Sequence, residues 1–502
     1  MKFLKRIGII DIGSNSIRLV VFDGPKRSPL YLYNEKVFYR LGQKSVGGQN
    51  FTDKILAEVT NIVDRFVTIS RNMKALKIIA FGTSALREAN NSTDLIRLVL
   101  DRTGINVEII SGETEAGYAA KGILLGFPNS FGVICDLGGN SVEFGTILEG
   151  KVINCKTALL GPLALNKLFR INKDAKNHMK TIIGSLNIIQ QNDLRKKLFL
   201  IGGSWRAIAK FHMELTGYPL KIIQGYKIKA KELKKTLSLI SSEVGKKRLL
   251  MTNIPNERLE LLPHSANLLE IILETYRFDT VIFSSFGVRE GIIFDQLSEK
   301  ERNRDPLLEA AKYFERKDSR FPKLSRSVFN WIAPFHKTFN KKNKRLIFAA
   351  CKLHDISWIA HPDYKMEMCL ELITRSNISG ITHKDRMFLA AILLFRHKIK
   401  SEVIQELDLF NLVSKRKRGI AMVIGKSLRL ASTFFGEKDL FKEIKISVKN
   451  DEVVLTIPEH LKSLNGEIVE RRKHELNKAL KIFKSNKELK KIISGELRNE
   501  IK

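Results

Sequence analysis

Ten residues near the start of the chain, I-I-D-I-G-S-N-S-I-R at 9–18, recur as I-C-D-L-G-G-N-S-V-E at 134–143, a constant offset of 125. In this alignment Asp11 meets Asp136, Gly13 meets Gly138, Asn15 meets Asn140 and Ser16 meets Ser141. Each copy lies between apolar, β-type runs: Ile7–Ile10 and Ile17–Phe22 around the first, Phe131–Cys135 and Val142–Leu148 around the second. A third extended run follows each copy, Leu30–Val37 and Lys151–Thr157. The pattern predicts strand, tight turn, strand, turn, strand, with Gly and Asn at the positions that need positive φ. Two copies, each followed by helical sequence, predict two similar α/β lobes with an acidic hairpin facing the cleft from each side.

Such a hairpin has a chemistry. An Asp at the end of a buried strand holds a fixed carboxylate suited to a hydrated hard cation, which makes Asp11 and Asp136 candidate metal ligands. The turns Gly13-Ser14-Asn15-Ser16 and Gly138-Gly139-Asn140-Ser141 offer backbone N–H groups and hydroxyls for phosphate oxygens. Glu143 follows Asp136 by seven residues and sits across the hairpin, so both carboxylates can approach one metal ion. A lone D-x-G-x-N-S is most often only a turn; its duplication in register argues for a shared phosphate-binding role.

Composition narrows the partners. The 502 residues are 44% apolar and 28% charged, which excludes a disordered chain or a fibre. At ~100–200 residues per domain the length suggests two to four domains. No apolar run reaches the ~18 residues of a spanning helix, so no membrane insertion is expected. The opening MKFLKRIGIIDIGSNS does not read as a secretory leader, because Asp11 interrupts a short apolar run. Cys135, Cys155, Cys351 and Cys369 lack metal-ligand spacing, so a reduced, cytoplasmic protein is expected. A net charge of +33 favours a polyanionic partner, although drift toward Lys, Ile and Asn raises the charge equally well.

Several strand-to-helix turns lie between and after the hairpins. Lys77–Phe81 leads through Gly82-Thr83-Ser84 into a helix carrying Arg87, whose forked donors suit a phosphate. The plain alternative is that Thr83 or Ser84 only caps that helix. Val107–Ile110 leads to Ser111-Gly112-Glu113-Thr114-Glu115, where Ser111 can cap and acids suit the helix dipole. The functional reading is that Glu115 points into the cleft as the general base for an attacking water. Leu198–Ile201 runs into Gly202-Gly203-Ser204-Trp205-Arg206, and Ile282–Phe286 into Gly287-Val288-Arg289-Glu290-Gly291.

Together, DIGSNSIRLVVFD, GTSALREA, ISGETEAGYAAKG, DLGGNSVEFG, IGGSWRAIAK and FSSFGVREGII resemble the exopolyphosphatase / guanosine pentaphosphate phosphohydrolase (Ppx/GppA) family over roughly residues 7–300, with every motif in the family's order. The resemblance implies an α/β fold of two actin-like, ribonuclease-H-like lobes with an interlobe cleft. It implies Mg²⁺-dependent release of a terminal phosphate from inorganic polyphosphate or from guanosine pentaphosphate (pppGpp), and a homodimer. Carried over by position, the family's general base falls on Glu115 and its metal-binding acids on Asp136 and Glu143. Its phosphate loops fall on Gly13, Ser14, Asn15 and Ser16 and on Gly138, Gly139, Asn140 and Ser141, and its basic clamp on Arg87. One departure stands out: the third glycine of the second loop is Asn140. Asn tolerates left-handed φ, so the turn is expected to survive, with tighter crowding of the phosphate lowering the rate.

These readings divide the chain into a first lobe at 1–128, a second at 129–300, and a basic, mainly helical region at 306–502 with one β-hairpin. The last region carries 41 Lys and Arg against 23 Asp and Glu. Its hairpin is marked by alternation of Ile444, Ile446, Val448 and Val453, Leu455, Ile457 about Lys449-Asn450-Asp451-Glu452. His354-Asp355 invites comparison with metal-dependent HD phosphohydrolases, but His336, His361 and Asp363 do not have the spacing of that site. The family's long members carry an HD-like region of this kind that has generally lost its metal, so a non-catalytic region is expected. The clusters at 415–418 (KRKR) and 471–473 (RRK) are candidate contacts for a long polyanion, or simply solvated faces. Three other classes remain: an actin-like ATPase or sugar kinase, a nucleic-acid binder, and a non-catalytic phosphate sensor. The basic surface speaks against the first. No specific nucleic-acid motif supports the second.

Overall fold

The computed structural model describes residues 5–485 apart from 45–47, 172–173, 190–196, 253, 398–406, 435 and 437–438. It divides into two units, Met1–Pro306 and Leu307–Lys502.

In the first unit the described strands form two mixed sheets. The first has the order β3-β2-β1-β4-β5, from β1 (Ile7–Ile12), β2 (Ser16–Phe22), β3 (Tyr31–Phe38), β4 (Lys77–Gly82) and β5 (Val107–Ile109). The second has the order β10-β11-β9-β6-β7-β8, from β6 (Gly132–Leu137), β7 (Val142–Leu148), β8 (Lys151–Ala158), β9 (Lys197–Gly202), β10 (Lys227–Lys229) and β11 (Thr280–Phe283). In each, the hairpin strand pairs antiparallel with the next strand and parallel with a later one, β4 or β9. The duplication therefore extends from ten residues to a whole sheet, and the fold is the expected pair of actin-like lobes.

The central strands read as nearly continuous Ile and Val because helices cover them. The helix Asp53–Asn72 lays Leu56, Val59, Val63, Phe66 and Val67 against the first sheet. The second lobe builds its core around Trp205, Phe211, Leu268 and Ile272.

The helices that close the two lobes are exchanged. Gly112–Gly126 follows β5 but sets Ala119, Ala120 and Ile123 against Ile134, Ile147 and Phe199 of the second sheet. Val288–Asp295 follows β11 but sets Ile292 and Ile293 against Ile7, Ile9 and Val20 of the first. The two helices cross so closely that a Cβ on Gly291 would lie 1.7 Å from the Tyr118 carbonyl oxygen, and one on Gly122 would lie 2.2 Å from that of Gly287. Only glycine fits at this crossing. Its consequence is functional, because the first turns of both helices, with Glu115 and Arg289, border the interlobe cleft.

The second unit is mainly helical. Its helices include Lys341–Leu353, His383–Arg396, Lys415–Ala431 and Glu467–Ser485. The expected hairpin forms from β12 (Lys445–Lys449) and β13 (Glu452–Thr456), pairing Ile446 with Leu455 and Val448 with Val453. Its two-residue turn is Asn450-Asp451, both at positive φ, as such a hairpin requires. Among the described residues no helix is long and apolar enough to cross a membrane.

Candidate active site

The two hairpins close in the same way. The Gly13 N–H donates to the Ser16 carbonyl at 3.1 Å, and the Gly138 N–H donates to that of Ser141 at 3.0 Å. In the ladders Asp11 faces Arg18 and Asp136 faces Glu143, so each pair projects from one face of its sheet. The loops touch across the cleft: a Cβ on Gly139 would lie 2.8 Å from that of Ser14, which explains glycine at 139. The Ser14 hydroxyl also meets that of Ser84 at 2.6 Å, tying the first loop to the turn after β4. Thr83, at the N-cap of the short helix Ser84–Glu88, makes no side-chain capping bond.

An acidic cluster lies at one side. Ser111 does cap the helix Gly112–Gly126, its hydroxyl accepting from the Thr114 N–H at 3.1 Å. Glu113 is exposed, whereas Glu115 keeps only 8% of its surface. Arg87 Nη1 donates to Glu115 Oε2 at 3.0 Å and to the Ile110 carbonyl at 2.7 Å, and Arg87 Nη2 lies 3.9 Å from Glu143 Oε1. Glu143 is fully buried; Thr157 donates to its Oε1 at 3.4 Å, and its Oε2 has no hydrogen-bond partner. Burial raises the pKa of Glu115 to about 7, with Arg87 opposing and Asp136 adding to the rise. Burial likewise raises Asp136 to about 6, against the pull of Arg289 and Arg206. Glu143 is pushed well above the ordinary carboxylate range by burial and then by Glu115 and Asp136. This deficit of positive charge, with an orphaned buried oxygen at Glu143, fits a hard divalent cation. Among the described residues no group of three or more His, Cys, Asp or Glu forms a ready cage.

A basic wall stands at the other side. Arg289 Nη1 donates to Asp11 Oδ2 at 2.7 Å. The neighbouring Glu290 accepts from the Gly287 N–H at 2.7 Å and from the Tyr31 hydroxyl at 3.0 Å, which fixes the start of that helix. Arg18, Lys36, Arg206 and Arg258 line the same cleft. Burial, then repulsion from Arg258, Arg18, Arg206 and Arg289, drives the Lys36 pKa down to about 7. Burial, then Arg289 and Arg206, lowers Arg18 to about 10. Cations held this close together call for a polyanion between them.

The model of the Ppx/GppA phosphatase family matches residues 20–300, and that of the exopolyphosphatase C-terminal region matches 309–482. The chain belongs to the Ppx/GppA phosphatase family. A bifunctional 3-dehydroquinate synthase/phosphatase of Fusobacterium nucleatum is 26% identical over 317 residues, covering 58% of this chain and 46% of its own length. Exopolyphosphatase 1 of Mycobacterium tuberculosis is 28% identical over 168 residues, covering 33% of this chain and 48% of its own. The chain thus spans about half the length of these curated relatives. The crystal structure of an exopolyphosphatase from Cytophaga hutchinsonii matches with a TM-score of 0.51 at 21% identity, over 58% of this chain and 99% of that one, a likeness of fold.

Three of the candidate side chains have partners within the protein. Arg87, expected to grip phosphate, is bound to Glu115 and the Ile110 carbonyl and lies near Glu143, because buried carboxylates require a counter-charge. Asp11, a candidate metal ligand from the chemistry of its hairpin, accepts from Arg289. Asn140, expected to crowd the phosphate, turns its side chain away from the cleft toward Gly42 and Glu88. Gly13, Ser14, Asn15, Ser16, Gly138, Gly139 and Ser141 line the cleft together with Glu115 and Asp136. The basic wall had no assigned role in the sequence reading. Arg18, Arg206 and Arg289 stand within quoted motifs, and their recurrence after glycine turns was a usable signal. Lys36 and Arg258 carry no local signal.

In the second unit, His354 follows the helix Lys341–Leu353 and is buried, its pKa lowered to about 3 by burial and then by Arg396. Asp355 accepts from Arg320 Nη2 at 2.6 Å and Nε at 3.1 Å, and Arg396 Nη2 lies 3.6 Å away. Guanidinium groups thus hold the carboxylate that a metal reading would use. His336 bonds the Phe329 carbonyl at 3.0 Å, and His361 and Asp363 form an exposed pair at 3.4 Å. Within the basic clusters, Lys417 pairs with Asp385 at 3.0 Å, and Arg472 donates to the Arg429 carbonyl at 3.0 Å. Those two cations serve the fold.

Proposed function

We propose that this protein is an exopolyphosphatase, releasing terminal orthophosphate from inorganic polyphosphate by Mg²⁺-dependent hydrolysis with Glu115 as general base. The observation that carries this reading is the meeting, in one cleft, of the buried acids Glu115 and Asp136, the basic side chains Arg18, Lys36, Arg206, Arg258 and Arg289, and two glycine-rich loops. The exopolyphosphatase names among the relatives support the same reading.

The terminal phosphate lies against the loops Gly13–Ser16 and Gly138–Ser141, whose N–H groups and hydroxyls donate to its oxygens. The following phosphates run along Arg18, Lys36, Arg206 and Arg258, and Lys36 takes up a proton as the polyanion arrives. Asp136 and Glu143 would hold Mg²⁺, which when bound neutralises charge on the transferring phosphoryl group. Glu115, at about 7, is poised near neutral pH to take the proton of the attacking water. Arg87 fixes the Glu115 carboxylate against helix rotation through its Ile110 anchor. The phosphoanhydride bond breaks as the water oxygen bonds phosphorus, and the shortened chain leaves with its charge held by the basic wall.

The test is phosphate release from long-chain polyphosphate and from guanosine pentaphosphate, side by side, with Mg²⁺ and with EDTA. Release that requires Mg²⁺ and favours polyphosphate is the expected result. Release from pentaphosphate alone would keep the chemistry and reassign the substrate, and no release from either would overturn the reading.

A further inference from the structure

Asn140 is the third residue of the second loop, Gly138-Gly139-Asn140-Ser141. It is 2% exposed and does not line the cleft. Its Nδ2 crosses from the second lobe to the first, donating to the Gly42 carbonyl at 3.3 Å and lying 3.3 and 3.5 Å from the two Glu88 carboxylate oxygens. All three partners only accept, so the nitrogen end of the amide must face them. Its Oδ1 is buried with no hydrogen-bond partner. An unpaired buried oxygen opposes folding, so this side chain is not there merely to fill space.

What its partners hold gives it a role. The Gly42 N–H donates to the Ser14 carbonyl at 2.7 Å, so Gly42 braces the first phosphate loop. Glu88 ends the five-residue helix Ser84–Glu88, and the preceding residue is Arg87, which donates to Glu115. One amide from the second loop thus engages both the support of the first loop and the end of the helix that aims Arg87 at Glu115.

We propose that Asn140 is a positioning residue that clasps the two lobes through Gly42 and Glu88. It raises the share of free protein in which both phosphate loops and the Arg87–Glu115 pair are already in place. The Asn140 side chain touches no reacting atom and acts through those two neighbours. A glycine in its place leaves the loop intact and the lobes freer to part. Less of the free protein is then competent to bind, and apparent affinity falls by that fraction.

The lobe-spacing part of the inference is independent of the hydrolase reading, whereas its kinetic part rests on it. The variants are Asn140→Gly, Glu88→Ala, the double variant, and Glu88→Gln, which keeps an acceptor for the Asn140 amide. Spin labels at Lys54→Cys in the first lobe and Lys231→Cys in the second, both exposed positions, read the lobe spacing in full-length protein carrying Cys155→Ser. We expect a narrow distance distribution for the parent and for Glu88→Gln, and a broader or longer one for Asn140→Gly and Glu88→Ala. With long-chain polyphosphate as probe, the latter two raise KM ~5-fold with kcat within ~2-fold, and the double variant is no worse than either alone. Unchanged spacing in Asn140→Gly overturns the clasp. So do additive KM effects, or a Glu88→Gln variant that behaves like Glu88→Ala. A protein that hydrolyses nothing yet shows the predicted spacing changes would sink the hydrolase reading and leave the clasp standing.

Discussion

The two phosphate hairpins share one backbone and differ in what they hold. Both close with the same hydrogen bond, from Gly13 to Ser16 and from Gly138 to Ser141, and both present an Asp at the strand end. Opposite that Asp, the first hairpin carries Arg18 and the second carries Glu143. That one difference turns a duplicated frame into a polar cleft. Asp11 is tied to Arg289, while Asp136 feels both Arg289 and Arg206 and the acids Glu115 and Glu143. The second position of each loop diverges for a steric reason, since the Ser14 side chain occupies the space that a side chain at Gly139 would need. The third position keeps Asn in both loops, but Asn15 borders the cleft while Asn140 reaches across to the other lobe. Duplication supplies two like loops, and the proposed function draws on the places where the copies have parted.

The comparison can be broken most severely at the acidic side. Glu115→Gln keeps the shape and removes the base, so kcat should fall by ~10²-fold or more with polyphosphate binding largely retained. Activity within a few-fold of the parent would mean that another group takes the proton. Next in size is the pH profile. Because Glu115 must be ionised and its pKa is raised to about 7, kcat should rise with pH through a limb near neutrality, moved lower by bound Mg²⁺. A flat profile between pH 5.5 and 8 would contradict that assignment.

Stability should report the same acids without any turnover. A carboxyl whose pKa is higher in the folded state contributes stability that is fully present below its unfolded value, ~4.3 for Glu, and lost as pH rises through the folded value. With Glu115 at about 7 and Asp136 at about 6, Tm in EDTA should fall between pH 5 and pH 8. Glu143→Gln should shrink that fall by taking one acid out of the cluster, and an undiminished fall would place its origin elsewhere. The smallest effect is expected from the cations that open the helix Lys415–Ala431 in the second unit. Neutralising Lys415, Arg416 and Arg418 while keeping Lys417, which Asp385 holds, should weaken long-chain binding a few-fold at low salt and spare short oligomers. Equal loss on both lengths would reduce that cluster to a solvated face.

The frame was legible in the sequence because it is written in local chemistry, β-branched runs and a Ser cap three residues before Thr114; the positive φ expected of the two loops is absent, since Gly13, Asn15, Gly138, Gly139 and Asn140 all lack it, and Gly139 is required instead by the nearness of Ser14. The position of Glu115 was legible for the same reason, three residues beyond a helix start that its neighbours announce. Arg87 was found, but its setting was not, because Glu143 approaches it from the other lobe and no spacing reports that. Lys36 lies on the outermost strand of the first sheet and Arg258 on the four-residue helix Asn256–Leu259. Both become site residues only when the lobes fold together. The exchange of the closing helices was likewise hidden, since Gly122 and Gly291 look ordinary until the two helices cross.

The central claim is that the hairpins have divided the work, the first holding the chain and the second carrying out its cleavage. The most direct test compares Arg18→Gln and Glu143→Gln on long-chain polyphosphate across a Mg²⁺ titration. Arg18→Gln should raise KM ~10-fold, the scale of one charge-assisted hydrogen bond, with kcat nearly unchanged. Glu143→Gln should instead lower kcat and raise the Mg²⁺ needed for half-maximal turnover by ~10-fold or more. If both variants change KM alone, or both depress kcat with the same Mg²⁺ requirement, the division of labour between the hairpins is wrong.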